Sequence, residues 1–274
     1  IVDEQHRFGV EQRKSLFEKG QNPDILLMTA TPIPRTLALT VYGNLNVSTI
    51  KSMPVGRLPI KTFLVRSNQR EDMYRAVGTE LERGHQAYFV YPRIENTDDN
   101  SGEEAERKAL LDVNTMYQYL SDKYPKFRGA LIHSRLDEDE KIRVLNEFTE
   151  GKIRFLVSTS VVEVGIDVPT ATCMVVEHAD TFGLSALHQL RGRVGRSTLQ
   201  SWCFLGFEDT ISDDGKKRLS VLKRTNDGFE IAEEDLKIRG PGEITGLKQS
   251  GFINLRYASL DKDISMMAKA REEV

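Results

Sequence analysis

Four short blocks of this sequence combine residue types and spacings that suit phosphate chemistry. Gln189 to Arg196 reads QLRGRVGR, with glycines three apart and Arg193 and Arg196 also three apart. Such glycines let a backbone approach something closely, and arginines at i and i+3 would project from one helical face toward one target. A phosphate suits them, because guanidinium donates in a fixed fork and keeps its charge. Taken alone, the block reads as a helix start with a solvated arginine face. The other blocks weigh against that reading. Asp3-Glu4-Gln5-His6 puts two carboxylates directly after the apolar pair Ile1-Val2, where open α/β sheets place ligand chemistry. On its own such a tetrapeptide is also an ordinary strand cap. Thr29-Ala30-Thr31 offers hydroxyls at a strand exit closed by Pro32 and Pro34. Ser158 to Pro169 reads STSVVEVGIDVP: hydroxyls after a strand, a helix start whose amides would face an anion, then a Gly165-Ile166-Asp167 turn. A plain β-α-β crossover accounts for the strand and helix there, but not for the G-x-D-x-P exit.

The elements that must position these residues follow from apolar patterning. Ile1-Val2 reads as the last turn of a buried strand, so the chain is expected to be a fragment. Gly9 to Lys19 reads as a surface helix, Ile25 to Met28 as a short buried strand, Arg35 to Tyr42 as a helix, and Val47 to Met53 as one more strand. Pro54, Gly56 and Pro59 mark a linker, which places a boundary near residue 57. Strands are then expected at Ile60 to Val65, Gln86 to Tyr91, Arg128 to His133, Arg154 to Ser158, Thr172 to Glu177 and Gln200 to Phe207. Helices are expected at Glu71 to Arg83, Val113 to Lys123, Asp137 to Phe148 and Gly183 to His188. Strands such as QAYFVY are continuously apolar, as in a parallel sheet covered on both faces. Glu95 to Asp112 holds seven acidic and two basic residues without periodicity, and its first part reads as a flexible surface loop. At Ser134 a helix-capping serine is an open reading. The chain is expected to leave this lobe near residue 210. Beyond it stand a basic helix around Lys216 to Arg224, with Leu219 and Leu222 on its apolar face, and an amphipathic helix over Leu260 to Val274.

Composition bounds the class. At 274 residues the chain makes one large or two ordinary domains, and 39% hydrophobic and 8% aromatic content fit a soluble globular protein. No run reaches the roughly 18 apolar residues of a membrane span, and no signal-peptide pattern opens the chain. Cys173 and Cys203 lie in apolar runs and read as reduced core residues of a cytoplasmic protein. With a net charge of −3, any DNA contact must come from local patches.

In their order, the blocks resemble the later motifs of superfamily 2 helicases, motors built from two RecA-like lobes, and within them the RecG family of branched-DNA helicases. Arg224 to Gly251, RTNDGFEIAEEDLKIRGPGEITGLKQSG, resembles the translocation segment that RecG shares with the transcription-repair coupling factor. NDGF followed by IRGPGE favours RecG. A glycine-rich loop between two helices is the plain alternative. Where this family has glycine, Ser134 stands here.

The resemblance implies an α/β fold. Residues 1–56 would end the first lobe, 57–210 would form the second RecA-like lobe, a parallel sheet flanked by helices, and 211–274 would form a helical hairpin translocation segment with C-terminal helices. It implies ATP and Mg²⁺, with Asp3 holding the metal through water and Glu4 orienting the attacking water. Gln5 and His6 would sense the γ-phosphate, Gly165, Asp167 and Gln189 would face the nucleotide, and Arg193 and Arg196 would be the finger residues. Thr29, Thr31, Arg135, Ser158, Thr159, Arg239 and Gln249 would contact DNA or couple to it. The chain would be the C-terminal part of a monomeric ATP-dependent helicase acting on replication forks and Holliday junctions. No G-x-x-x-x-G-K-[ST] phosphate loop occurs, so the chain alone is expected to be inactive and to need the N-terminal part of the same protein. Two rivals are the coupling factor and a non-hydrolysing DNA-binding adaptor.

Overall fold

The structure, a computed structural model, describes residues 1–2, 26, 28–29, 48–50, 54, 56–92, 102–133, 135–159 and 167–239. Two compact units divide the chain: Asn46–Asp227, and Ile1–Leu45 together with Gly228–Val274.

Asn46–Asp227 is built on six strands: β1 (Lys61–Val65), β2 (Gln86–Tyr91), β3 (Gly129–Ile132), β4 (Phe155–Thr159), β5 (Ala171–Val176) and β6 (Trp202–Gly206). They lie in the order β1-β6-β5-β2-β4-β3, and every pairing is parallel. Parallel neighbours need a crossover, and helices supply the cover: α1 (Arg70–Glu82), α2 (Gly102–Lys123), α3 (Glu138–Thr149), α4 (Leu184–Arg191) and α5 (Asp213–Arg224). Side chains alternate along a strand, so each face has its own core. Ala87, Phe89, Tyr91, Phe155, Val157, Cys173, Val175 and Phe204 meet Met73, Val77 and Leu81 of α1, Val113 and Leu120 of α2, and Tyr124 just beyond α2. The alternate residues Tyr88, Leu156, Met174 and Leu205 are also buried, and the Tyr88 and Phe148 rings, 5.0 Å apart, seat α3 on that side.

Several expectations change. The helix ending at Lys123 begins at Gly102, not Val113, so part of the acidic stretch is helical; Glu, Ala, Lys, Arg and Leu are good helix formers even without an apolar period. The cap before α3 is Asp137, whose carboxylate accepts from the Glu138 amide at 2.8 Å, and Ser134 lies outside the described residues. Helix α5 belongs with the sheet, since Leu219, Val221 and Leu222 are buried, and the compact unit therefore runs to Asp227 where the sequence suggests an exit near 210.

In the other unit, the Val2 amide donates to the Leu26 carbonyl and the Met28 amide to the Val2 carbonyl, both at 2.8 Å. The pairing is strand-like, but Leu26 and Met28, two apart on one face, are exposed, so this strand is not the buried one expected. Within Asn46–Asp227, residues 48–50 carry no strand, and Ile50 is 90% exposed. The segment after Asp227 opens with α6 (Gly228–Arg239). The helices read at Gly9 to Lys19, Arg35 to Tyr42 and Leu260 to Val274 lie outside the described residues.

Candidate active site

Helix α4 carries the arginine block to its place. Leu184, Leu187 and Leu190 form a buried stripe at helical spacing. The helix stops at Gly192, whose amide donates to the His188 carbonyl at 3.0 Å, and the next two amides bond back to Leu190 and Arg191 in a tight turn. Val194 plugs into the core below it. Gly195 has φ +73°, and a Cβ there would stand 2.7 Å from Ile60 Cγ1, so both the backbone and the space demand glycine. The reading of Arg193 and Arg196 as one helical face is thereby corrected: the two glycines end the helix, and both arginines leave from a turn.

The turn holds Arg196 beside the exit of the STSVVEVGIDVP block. Arg196 Nε donates to the Gly192 carbonyl at 3.2 Å, and its Nη1 stands 3.8 Å from Asp167 Oδ1. Ser197 Oγ donates to the Pro169 carbonyl at 2.8 Å, stapling the two blocks together. Below lies Tyr88 of β2. Burial pushes its phenol up to about 12, while the charges of Arg193 and Arg196 pull the other way and Asp167 adds to the rise. Gln189 is half-buried on α4, one turn before Arg193. Two guanidiniums and one carboxylate at the surface above a neutral phenol can take a phosphate, which would compete with Asp167 and the Gly192 carbonyl for Arg196.

Neither Tyr88 nor Ser197 had a signal in the sequence, where Tyr88 reads as one more apolar residue of a core strand. Arg191, from the same block, does not face the site at all and is buried.

Of the expected DNA-facing residues, Arg135, Ser158 and Thr159 sit at the other end of the sheet. Asp167 precedes β5 and Arg196 precedes β6, whereas Arg135 follows β3, and Ser158 and Thr159 close β4. Parallel strands of five residues put these ends about 17 Å apart. Arg135 is exposed. Ser158 is not: β4 runs to Thr159, so Ser158 is a strand residue, fully buried with an unpartnered hydroxyl, and it does not reach the surface expected for it. Thr159 is buried as well. Thr29 is half-buried. Arg239 is the last residue of α6. Asp3, Glu4, Gln5, His6, Thr31, Gly165 and Gln249 lie outside the described residues. Among the described residues no group of three His, Cys, Asp or Glu could hold a metal ion, and no helix is long and apolar enough to cross a membrane.

At the carboxyl ends of the central strands stands a polar network that the sequence did not announce. Glu177, buried just past β5, accepts from Arg70 Nε at 3.0 Å and from the Tyr74 hydroxyl at 3.2 Å. Arg70 Nη2 also donates to Glu208 at 2.9 Å. Burial works against the Arg70 charge, but the two carboxylates outweigh it and raise its pKa.

Residues 70–198 match the family description "Helicase conserved C-terminal domain", and residues 225–274 match "ATP-dependent DNA helicase RecG, domain 3, C-terminal". The chain is similar to the ATP-dependent DNA helicase RecG of Treponema pallidum, with 49% identity over 99% of this chain and 40% of the relative. It is equally similar to that of Bacillus subtilis, with 49% identity over 100% of this chain and 39% of the relative. A solved structure of RecG bound to a three-way DNA junction aligns over 97% of this chain and 33% of that one, with a TM-score of 0.72 and 44% identity. A CRISPR-associated protein aligns over 90% of this chain and 31% of its own, with a TM-score of 0.52 and 15% identity, a likeness of fold alone. The chain thus spans about two fifths of these two curated relatives, and over that span it is similar throughout to RecG helicases.

Proposed function

We propose that the protein carrying this chain is an ATP-driven DNA translocase that remodels branched DNA, stalled replication forks and Holliday junctions, in recombination and repair. The observation that carries the reading is the likeness of the whole chain to RecG helicases, one of them solved on a three-way DNA junction. The match of residues 225–274 to RecG domain 3 favours RecG over the coupling factor and over an adaptor.

Phosphoryl transfer needs mainly positioning and charge neutralisation. Arg196, with Arg193 beside it, supplies the positive charge that meets the γ-phosphoryl oxygens as they gain charge in the transition state. Asp167 and the Gly192 carbonyl hold Arg196 in place before nucleotide arrives. Glu4 orients the attacking water, Gln5 and His6 sense the γ-phosphate, and Gln189 and Gly165 line the nucleotide. Mg²⁺ is a hard cation that takes carboxylate oxygen, and Asp3 is the residue assigned to it. No cluster among the described residues would hold this metal. DNA lies along the carboxyl ends of the sheet, with Arg135 as the phosphate contact, and Thr29, Thr31 and Thr159 contact the DNA or couple to it. The Ser158 to Pro169 block joins that end to the arginine turn, so a change at the nucleotide can reach the DNA side. Arg239 and Gln249 pass the motion to duplex DNA. The protein works as a monomer in the cytoplasm, and the chain alone, without a phosphate loop, does not turn over ATP.

The test uses the full-length protein and a synthetic three-way junction. ATP-dependent unwinding is expected, and Arg196→Ala should cut kcat by about 10³ to 10⁵ while junction binding changes far less. No unwinding by the unaltered protein would overturn the function. Unwinding with Arg196→Ala turnover intact would remove the arginine turn from the ATP site.

A further inference from the structure

Arg191 closes α4 and immediately precedes the turn that presents Arg193 and Arg196, yet it is only 2% exposed. Burying a guanidinium is costly unless its donors are met, and a burial this deep is uncommon for arginine. Burial indeed lowers its pKa. Its donors are met by backbone and by one imidazole. Nη1 donates to the Leu222 carbonyl at 2.8 Å and to the Thr225 carbonyl at 2.9 Å, and Nη2 points at His188 Nδ1, 3.2 Å away. No carboxylate pairs with it in these contacts.

The two carbonyls define the role. Leu222 lies in the last turn of α5, where helix carbonyls have no intrahelical partner and attract a cation. Thr225 is the next residue past that helix, and three residues later α6 begins. Arg191 therefore fastens the arginine turn to the point where the chain leaves the lobe for the segment that matches RecG domain 3. His188 keeps the fastening simple: burial, then the neighbouring Arg191 charge, depress its pKa to about 4, so the ring is neutral and can accept. A second bond holds the same exit, since Asn226 Nδ2 donates to the Ile60 carbonyl at 3.3 Å, and Ile60 is the residue that packs against Gly195.

We propose that Arg191 is a positioning residue that touches neither nucleotide nor DNA, and that it makes the arginine turn and the Leu222 to Thr225 exit move as one piece. When nucleotide draws Arg193 and Arg196, α4 draws the exit with it through two rigid, charge-assisted bonds. The proposal rests on the translocase reading, and it places the mechanical link in the one arginine of QLRGRVGR that does not face the site.

The experiment compares unaltered full-length protein with Arg191→Lys and Arg191→Met, measuring phosphate released and three-way junctions unwound in the same reaction. A lysine is a point donor and cannot span both carbonyls as the planar fork does. Expected is ATP turnover within about twofold of the unaltered protein, with junctions unwound per ATP falling by about 5- to 150-fold, the span of a typical coupling free energy. Arg191→Lys should fall between the unaltered protein and Arg191→Met. If Arg191→Met does not fold, Arg191→Lys carries the comparison. Equal losses of turnover and unwinding would make Arg191 part of the hydrolytic machinery, and an unchanged ratio in a folded variant would make it structural only; either overturns the proposal. Failure of the unaltered protein to unwind would instead strike the translocase reading.

Discussion

Gly195→Ala isolates the geometry on which the arginine turn depends. With φ at +73°, a residue bearing Cβ loses about 1–2 kcal/mol relative to glycine. The new Cβ would also stand 2.7 Å from Ile60 Cγ1 and 3.1 Å from its Cδ1, closer than van der Waals contact, and overpacking of this kind costs about 1–3 kcal/mol. The two costs together predict a loss of about 2–5 kcal/mol in the turn and its surroundings. The chain has one tryptophan, Trp202, which opens β6 six residues beyond Arg196, so urea unfolding followed by its fluorescence reads this region directly. Trimming Ile60 to alanine in the Gly195→Ala background should restore only the packing part, giving a coupling of about 1–3 kcal/mol in a double-mutant cycle. In the full-length protein the displaced turn should also carry Arg196 away, and a shift of about 1 Å at a catalytic group costs about 10²-fold in rate. An unchanged urea midpoint for Gly195→Ala, or no recovery on trimming Ile60, would refute the reasoning.

Arg70→Met should leave Glu177 buried without its charge partner and cost about 3–5 kcal/mol, read as a lower urea midpoint; a loss below 1 kcal/mol would mean that the carboxylate finds water. His188 is held neutral with its pKa depressed to about 4, so stability is full above the ordinary histidine range near 6.5 and is lost as pH falls from there toward 4; His188→Asn should flatten that slope in pH-dependent unfolding. Arg239→Ala in the full-length protein should leave DNA binding and much of the ATPase in place and abolish fork unwinding; losses of unwinding and ATPase in the same proportion would make it a catalytic or structural residue.

What the sequence could not convey is mostly a matter of which way a charged residue turns. Gln86 to Tyr91 is legible as a strand because six apolar or amphipathic residues in a row suit a sheet covered on both faces, and it forms with those bounds. Asp167 and Arg196 stand 3.8 Å apart although they come from two separate blocks, a meeting that no local spacing announces. The spacing of Arg193 and Arg196 misleads as to conformation, since i, i+3 suggests a helix face while Gly192 before them and Gly195 between them build a turn. Arg191, Arg193 and Arg196 are one residue type in one block, and only the packing of α5 against α4 decides that the first is buried. The start of α2 was hidden because its first residues have helix propensity without apolar rhythm, and rhythm was the signal in use. Tyr88, Ser197 and the Arg70–Glu177 pair come from distant strands and helices, and no local pattern brings them together.

The strand order bears on how the molecule comes to exist. Among the described residues β1 pairs only with β6, and the bonds flanking that pairing, Gln200 to Pro59 and Ser67 to Glu208, each span 141 residues. During synthesis at about 5–20 residues per second, β1 must therefore wait about 7 to 28 seconds for β6. For that interval its Phe63 lacks the Trp202 and Phe204 rings it will lie against, 6.0 and 5.6 Å away in the finished sheet. From the completion of β5 until β6 follows, the open flank of β5 offers an unpaired edge to any other nascent chain. A ribosome that stalls before Trp202 thus displays two sticky strands that cannot satisfy each other, and holdase chaperones should be found on nascent chains of that length more than on those that have passed Gly206.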